Sequence, residues 1–82
     1  MQLIKVFPKS EAFTVIGTGT IEACEHEIDL LTRENESKGI WMIDEMTIGF
    51  KTKRMFATKD KGHVFDLIIC EKQEAPVYYV EY

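Results

Sequence analysis

The feature that most constrains the fold is one amphipathic helix pattern, IEACEHEIDLLTRENESK, which begins at Ile21 and ends at Lys38. Its apolar residues recur at spacings of three, four and three, so they form a single stripe along one helix face. The stripe consists of Ile21, Cys24, Ile28 and Leu31. Thr20 or Thr18 can cap the start of this helix, and Gly39 can end it in a left-handed conformation.

The segments on either side of the helix pattern carry strand patterns instead. QLIKVF and FTVI precede the helix and are rich in apolar, aromatic and β-branched residues. After the helix the apolar period becomes two, and IWMI with MTIGFKT indicates one strand, kinked near Asp44 and Glu45. This period predicts that Met46, Ile48 and Phe50 share the core face of that strand.

The last part of the chain predicts further strands and completes the fold class. KRMFAT and HVFDLIICE flank the turn KDKG, and VYYVEY follows a proline at the end of the sequence. We therefore predict a single small α+β domain over residues 1–82 with the order β-β-α-β-β-β-β. One amphipathic helix packs across a mainly antiparallel sheet of about five to six strands. Whether that sheet is open or barrel-like is not decided by the pattern.

Composition restricts the class of protein further. A chain of 82 residues with 45% hydrophobic residues suits one globular core and not a disordered segment. No apolar run is long enough to span a bilayer, and MQLIKVFPKSE lacks the core of a signal peptide. Two cysteines in different predicted elements do not make a disulfide framework. We expect a soluble, cytoplasmic protein without a membrane partner.

The segment TIEACEHEID resembles a metal site in composition but not in geometry. Cys24 belongs to the apolar stripe, whereas His26 lies on the outer helix face. That outer face can be explained by two ion pairs between residues four apart, Glu22–His26 and Asp29–Arg33. Zinc requires ligands that converge on one point. We therefore expect no metal ion at this helix.

The remaining inventory also gives little support for catalysis. His63 and Cys70 are seven residues apart on one predicted strand, so they are expected to face opposite sides. No nucleophile motif or paired catalytic carboxylate stands out. We expect no cofactor, no catalytic residue and no enzymatic activity. A small enzyme whose site assembles only in an oligomer is a minor alternative.

The basic segment FKTKRMFATKDKG is one of two candidate partner-binding regions. It holds half of the ten basic residues of the chain, namely Lys51, Lys53, Arg54, Lys59 and Lys61. Such lysines can simply protect a strand edge, but they can also meet an acidic protein surface or a phosphate. The net charge of −4 opposes binding of a long nucleic acid.

Aromatic side chains form the second candidate region. Trp41, Tyr78 and Tyr79 are the kind of residue that anchors a protein interface, although they can equally fill a curled sheet. Together these patterns favour a stand-alone protein-binding regulator or inhibitor, of the kind that a virus or mobile element encodes. The partner is expected to be a protein, and a homo-oligomer is a further possibility.

The turn between the second strand and the helix supports an alternative function. Gly17, Thr18, Gly19 and Thr20 lie in VIGTGTIEA, where backbone amides can cradle an anion. The third glycine of a dinucleotide fingerprint is replaced by Glu22, whose charge repels phosphate. The alternative is a nucleotide or nucleic-acid binder that uses the basic hairpin 51–61 and this turn.

Overall fold

A computed structural model describes residues 1–10 and 12–71 of the chain. These residues form five strands and one helix in the order β-β-α-β-β-β. The elements are β1 (Gln2–Phe7), β2 (Ala12–Thr18), α1 (Ile21–Ser37), β3 (Ile40–Ile48), β4 (Lys51–Thr58) and β5 (Gly62–Cys70). The strands make one sheet in the order β2-β1-β5-β4-β3, with every neighbouring pair antiparallel. The predicted α+β class is confirmed with five strands, and VYYVEY lies outside the described residues.

The helix forms where its periodicity predicts it. Thr20 is the N-cap residue, and its Oγ1 accepts a hydrogen bond from the backbone N–H of Ala23 at 3.1 Å. Gly39 follows the helix with φ of +82°, a left-handed conformation that glycine adopts without strain. Between these ends Cys24 and Ile28 are buried. The predicted stripe and both predicted ends are therefore confirmed.

The main core lies between α1 and one face of the sheet. Its buried residues are Leu3, Cys24, Ile28, Phe56, Phe65, Leu67 and Ile69. The rings of Phe56 and Phe65 are stacked with their centroids 5.0 Å apart, on the two neighbouring strands β4 and β5. The helix thus covers the middle of the sheet, and this leaves the side chains of the edge strands more open to solvent.

The strand after the helix is shorter than the sequence predicts. A bulge in β3 between Met42 and Asp44 confirms the expected kink, but the strand ends at Ile48. The chain then reverses in a tight hairpin turn, in which Gly49 has φ of +63°. Phe50 lies in this turn, and Met46 and Ile48 are themselves exposed, so the prediction that these three residues share a core face was wrong.

The second face of the sheet, which is the face opposite α1, has its own buried cluster. It is formed by Ile4, Val6, Ile68 and Cys70. A bulge between β4 and β5 changes the alternation in β5, and His63 Nε2 comes within 2.6 Å of Asp66 Oδ1 on this face. The prediction that His63 and Cys70 face opposite sides was therefore wrong, because it assumed an unbroken alternation.

Candidate protein-binding surface

Exposed apolar side chains are more numerous at the β3 edge of the sheet than at its β2 edge. We call the first group the β3 edge surface, and it consists of Trp41, Met42, Ile43, Met46, Ile48 and Phe50. Their exposed fractions range from 42% to 61%. These six residues account for more than half of the exposed large hydrophobic residues in the described part of the chain. A concentration of exposed apolar side chains along one strand and its turn is typical of an interaction site.

In the described part of the chain, the outer edge of β3 has no neighbouring strand. In the strand order, β3 is a terminal strand, and among the described elements it pairs only with β4. An edge strand presents a row of N–H and C=O groups that a further strand can bind. The edge is therefore suited to β-augmentation, in which an extended segment of another protein adds to the sheet.

Both faces of β3 carry apolar side chains. Met42 pairs with Phe56, which belongs to the core beneath α1, so Met42 lies on the helix side. Trp41, Met46 and Ile48 alternate onto the second face of the sheet. A strand added at this edge would find apolar neighbours on each of its own faces.

Two acidic residues interrupt this apolar strand at its centre. Glu45 lies on the helix side and forms an ion pair with Arg54 of the neighbouring strand. Asp44 lies on the second face, is exposed, and accepts a hydrogen bond from the backbone N–H of Glu45 at 2.9 Å. Among the described residues, no cation forms an ion pair with Asp44. It is thus the carboxylate that a partner strand would meet.

Arg54, one of the predicted partner-binding residues, belongs to an internal network. Its Nη1 lies 2.8 Å from Asp29 Oδ1 and 3.0 Å from Thr32 Oγ1, and its side chain is 17% exposed. Burial lowers the pKa of this guanidinium, but hydrogen bonds and the charges of Glu45 and Asp29 outweigh that effect and raise the pKa. Asp29 is therefore paired with Arg54, and the predicted Asp29–Arg33 pair does not form.

The other basic residues of the predicted hairpin are divided between two environments. Lys53 Nζ lies 4.0 Å from Oδ2 of the buried Asp66, and the Lys53 side chain is only 13% exposed. Lys51 is half-buried, whereas Lys59 and Lys61 are exposed at the turn between β4 and β5. The structure therefore does not bring these cations together as one continuous basic patch.

The aromatic residues that the sequence singles out have different positions. Trp41 is part of the β3 edge surface and is 46% exposed. Tyr78 and Tyr79 lie outside the described residues. The sequence did not identify Met42 and Ile43 as candidates, because periodicity does not show which strand ends a sheet.

The glycine-threonine turn uses its polar groups internally. The backbone N–H of Gly19 donates to the carbonyl of Met1 at 3.0 Å, and Thr20 caps the helix. Gly17 and Thr18 line an open cavity of about 290 Å³, and Glu27 lines the same cavity. A carboxylate beside the cavity opposes an anionic ligand, so this geometry does not favour a phosphate site.

Residues 1–10 and 12–71 contain no group of three or more side chains that could hold a metal ion. No helix among them is both long enough and apolar enough to cross a membrane. No protein-family model, curated protein or solved structure matches the chain.

Proposed function

We propose that the protein is a non-enzymatic protein-binding module that holds an extended segment of another protein along the outer edge of β3. The observation that carries this proposal is the β3 edge surface, a set of six exposed apolar side chains on a terminal strand and the turn that follows it. Main-chain hydrogen bonds to the edge supply affinity, and the flanking side chains supply selectivity. Four of its six residues are aromatic residues or methionines, which are enriched at protein interfaces.

The charge at the centre of β3 indicates what kind of segment fits. Asp44 would lie opposite a side chain of the added strand, and an opposite charge in that position stabilises the pair. We therefore expect the partner segment to carry a lysine or arginine flanked by apolar residues at alternate positions. Antiparallel pairing of β3 with a second copy centred on this region brings carboxylates together, which disfavours a homodimer at this edge.

A small domain with this surface fits the role of a regulator or inhibitor that acts by occupying its partner. We place it in the cytoplasm, which is a reducing compartment. Cys24 and Cys70 are both free and buried, and they belong to clusters on opposite faces of the sheet. A fold that keeps two thiols apart in this way has no need of an oxidising compartment.

The proposal is tested by comparing partner capture by two variants in which exposed apolar residues are replaced by lysine. In one, Ile43→Lys and Ile48→Lys place charges on the β3 edge surface. In the other, Leu30→Lys places one charge on the outside of α1, where Leu30 is 43% exposed. We expect a protein captured by the wild type to be lost by the β3 variant and kept by the Leu30 variant. Retention of that protein by the β3 variant, or capture of nucleic acid alone, would contradict the proposal.

A further inference from the structure

The strand β2, at the other end of the sheet, also carries exposed apolar side chains. Phe13, Val15 and Ile16 are 41%, 46% and 38% exposed. Every side chain from residue 12 to residue 16 is exposed, although successive residues of a strand point to opposite faces of the sheet. Among the described elements, β2 pairs only with β1. This strand therefore presents exposed side chains on both of its faces.

The two terminal strands differ in charge. The sequence of β2, AFTVIGT, contains neither a charged residue nor a proline, whereas β3 carries Asp44 and Glu45. Charged residues, prolines and bulges are the features that usually protect an edge strand from pairing with another copy. The bulge of β2 lies at Ile16, and residues 12–15 keep a regular register with β1. Pairing of this regular part with an identical strand brings no like charges together.

We propose that β2 is the interface of a symmetric dimer, in which it pairs antiparallel with β2 of a second copy about a two-fold axis at Thr14. In a two-fold interface, each contact between two residues occurs twice. Thr14 then lies opposite Thr14 of the second copy, and Phe13 lies opposite Val15 in both directions. Pairs of two threonines, and pairs of an aromatic with a β-branched residue, stabilise neighbouring strands.

The register follows from the way in which β2 faces. Phe13 and Val15 pair with Val6 and Ile4 of β1, so they lie on the second face, whereas Thr14 lies on the helix side. A centre at Val15 would set the bulged Ile16 opposite Thr14. A centre at Phe13 would set Val15 opposite a position that precedes β2. Only the centre at Thr14 joins the apolar residues of the regular part to one another.

Such a dimer joins two five-stranded sheets into one sheet of ten strands. The two β3 strands then lie at its opposite ends, so the dimer can hold two partner segments at once and gain avidity for a partner with two such segments. The inference is independent of the proposed function, because the β3 edge surface contains no residue of β2. Since the paired segment is short, the dimer should be weak and its population should depend on concentration.

The test is analytical ultracentrifugation of the full chain over a series of concentrations. We expect the mass of the wild type to rise with concentration from one chain toward two. Thr14→Glu sets two carboxylates directly opposite each other in the dimer and should stay a single chain throughout. Within each chain residue 14 lies opposite Lys5 on β1, so a glutamate there is compatible with the fold. Thr47→Glu, at an exposed position of β3, adds the same charge and should leave the dimer intact.

A mixture of variants tests the position of the axis. Thr14→Lys alone should also stay a single chain, whereas an equimolar mixture of Thr14→Glu and Thr14→Lys should form dimers, because opposite charges then meet at the axis. Four results would overturn the proposal: a wild type that is a single chain at every concentration, a dimer that survives in Thr14→Glu, no dimer in the mixture, or loss of the dimer in Thr47→Glu. The last result would move the interface to β3.

Discussion

The guanidinium of Arg54 on β4 lies 2.8 Å from the carboxylate of Asp29 on α1, and the same guanidinium pairs with Glu45 on β3. One side chain thereby ties the helix to the edge of the sheet. Both carboxylates are substantially exposed, so solvent weakens each ion pair. The Arg54 side chain is mostly buried, and among the described residues its charged partners are Asp29 and Glu45 alone. Removal of the guanidinium therefore breaks both ion pairs.

Replacing Arg54 should therefore weaken the fold. We expect Arg54→Met to lower the free energy of unfolding by about 1–2 kcal/mol, measured by urea denaturation. Lys59→Met, at an exposed position of the adjacent turn, is the control and should change stability by less than about 0.5 kcal/mol. Equal costs for the two variants would show that the Arg54 network contributes nothing to stability.

The helix stripe makes a second prediction about stability. Ile28 is 1% exposed in the core beneath α1, so Ile28→Ala leaves a cavity and should cost about 2–5 kcal/mol. His26 is exposed on the same helix, and His26→Ala should lie within about 0.5 kcal/mol of the wild type. Calorimetric melting of both variants checks this, and a larger cost at His26 would mean that the helix packs with another face.

The hairpin between β3 and β4 should depend on glycine at one position. Gly49 has φ of +63°, so Gly49→Ala places a side chain in a strained backbone conformation and should cost about 1 kcal/mol. Gly17→Ala is the matched control, because an added Cβ there meets nothing within 4 Å and φ is not in the left-handed range. Chemical denaturation that finds the Gly17 variant less stable than the Gly49 variant would contradict this account of the turn.

Stability should also fall at alkaline pH through one buried thiol. Burial raises the pKa of Cys24 above its ordinary value of 9.0, so the folded protein favours the protonated thiol. This contribution is fully present below pH 9.0 and is lost as the pH rises through the raised pKa. We expect the wild type to lose stability relative to Cys24→Ala above that pH, as followed by urea denaturation at a series of pH values. A difference between the two proteins that stays constant with pH would refute this.

Local sequence patterns predicted the helix and most strands, because the residues that define each of these elements lie close together in the sequence. The hairpin at Gly49 was missed because Met46, Ile48 and Phe50 keep a period of two through the turn. A glycine between them was the only signal of a break. The bulge near His63 was missed for a similar reason. One extra residue in a strand reverses the face on which the following side chains lie, and no local sequence pattern marks that residue.

The candidate site was less predictable than the fold, because it depends on strand order. The sequence identified Trp41 but assigned Met46 and Ile48 to the core, since alternation alone does not separate a central strand from an edge strand. It also treated Arg54 as a surface cation. The partner Asp29 is 25 positions away in the chain, beyond the range of any local pairing rule.

The most direct test of the central claim is to select short peptides that bind the immobilised protein and to map their contacts by amide chemical shifts. We expect the enriched peptides to alternate apolar residues around a lysine or arginine. Their binding should shift the amides of β3 and protect its outer N–H groups from exchange, and Asp44→Asn should weaken the binding. Enriched peptides that leave the β3 amides unchanged, and shift α1 or the β4–β5 turn instead, would contradict the account.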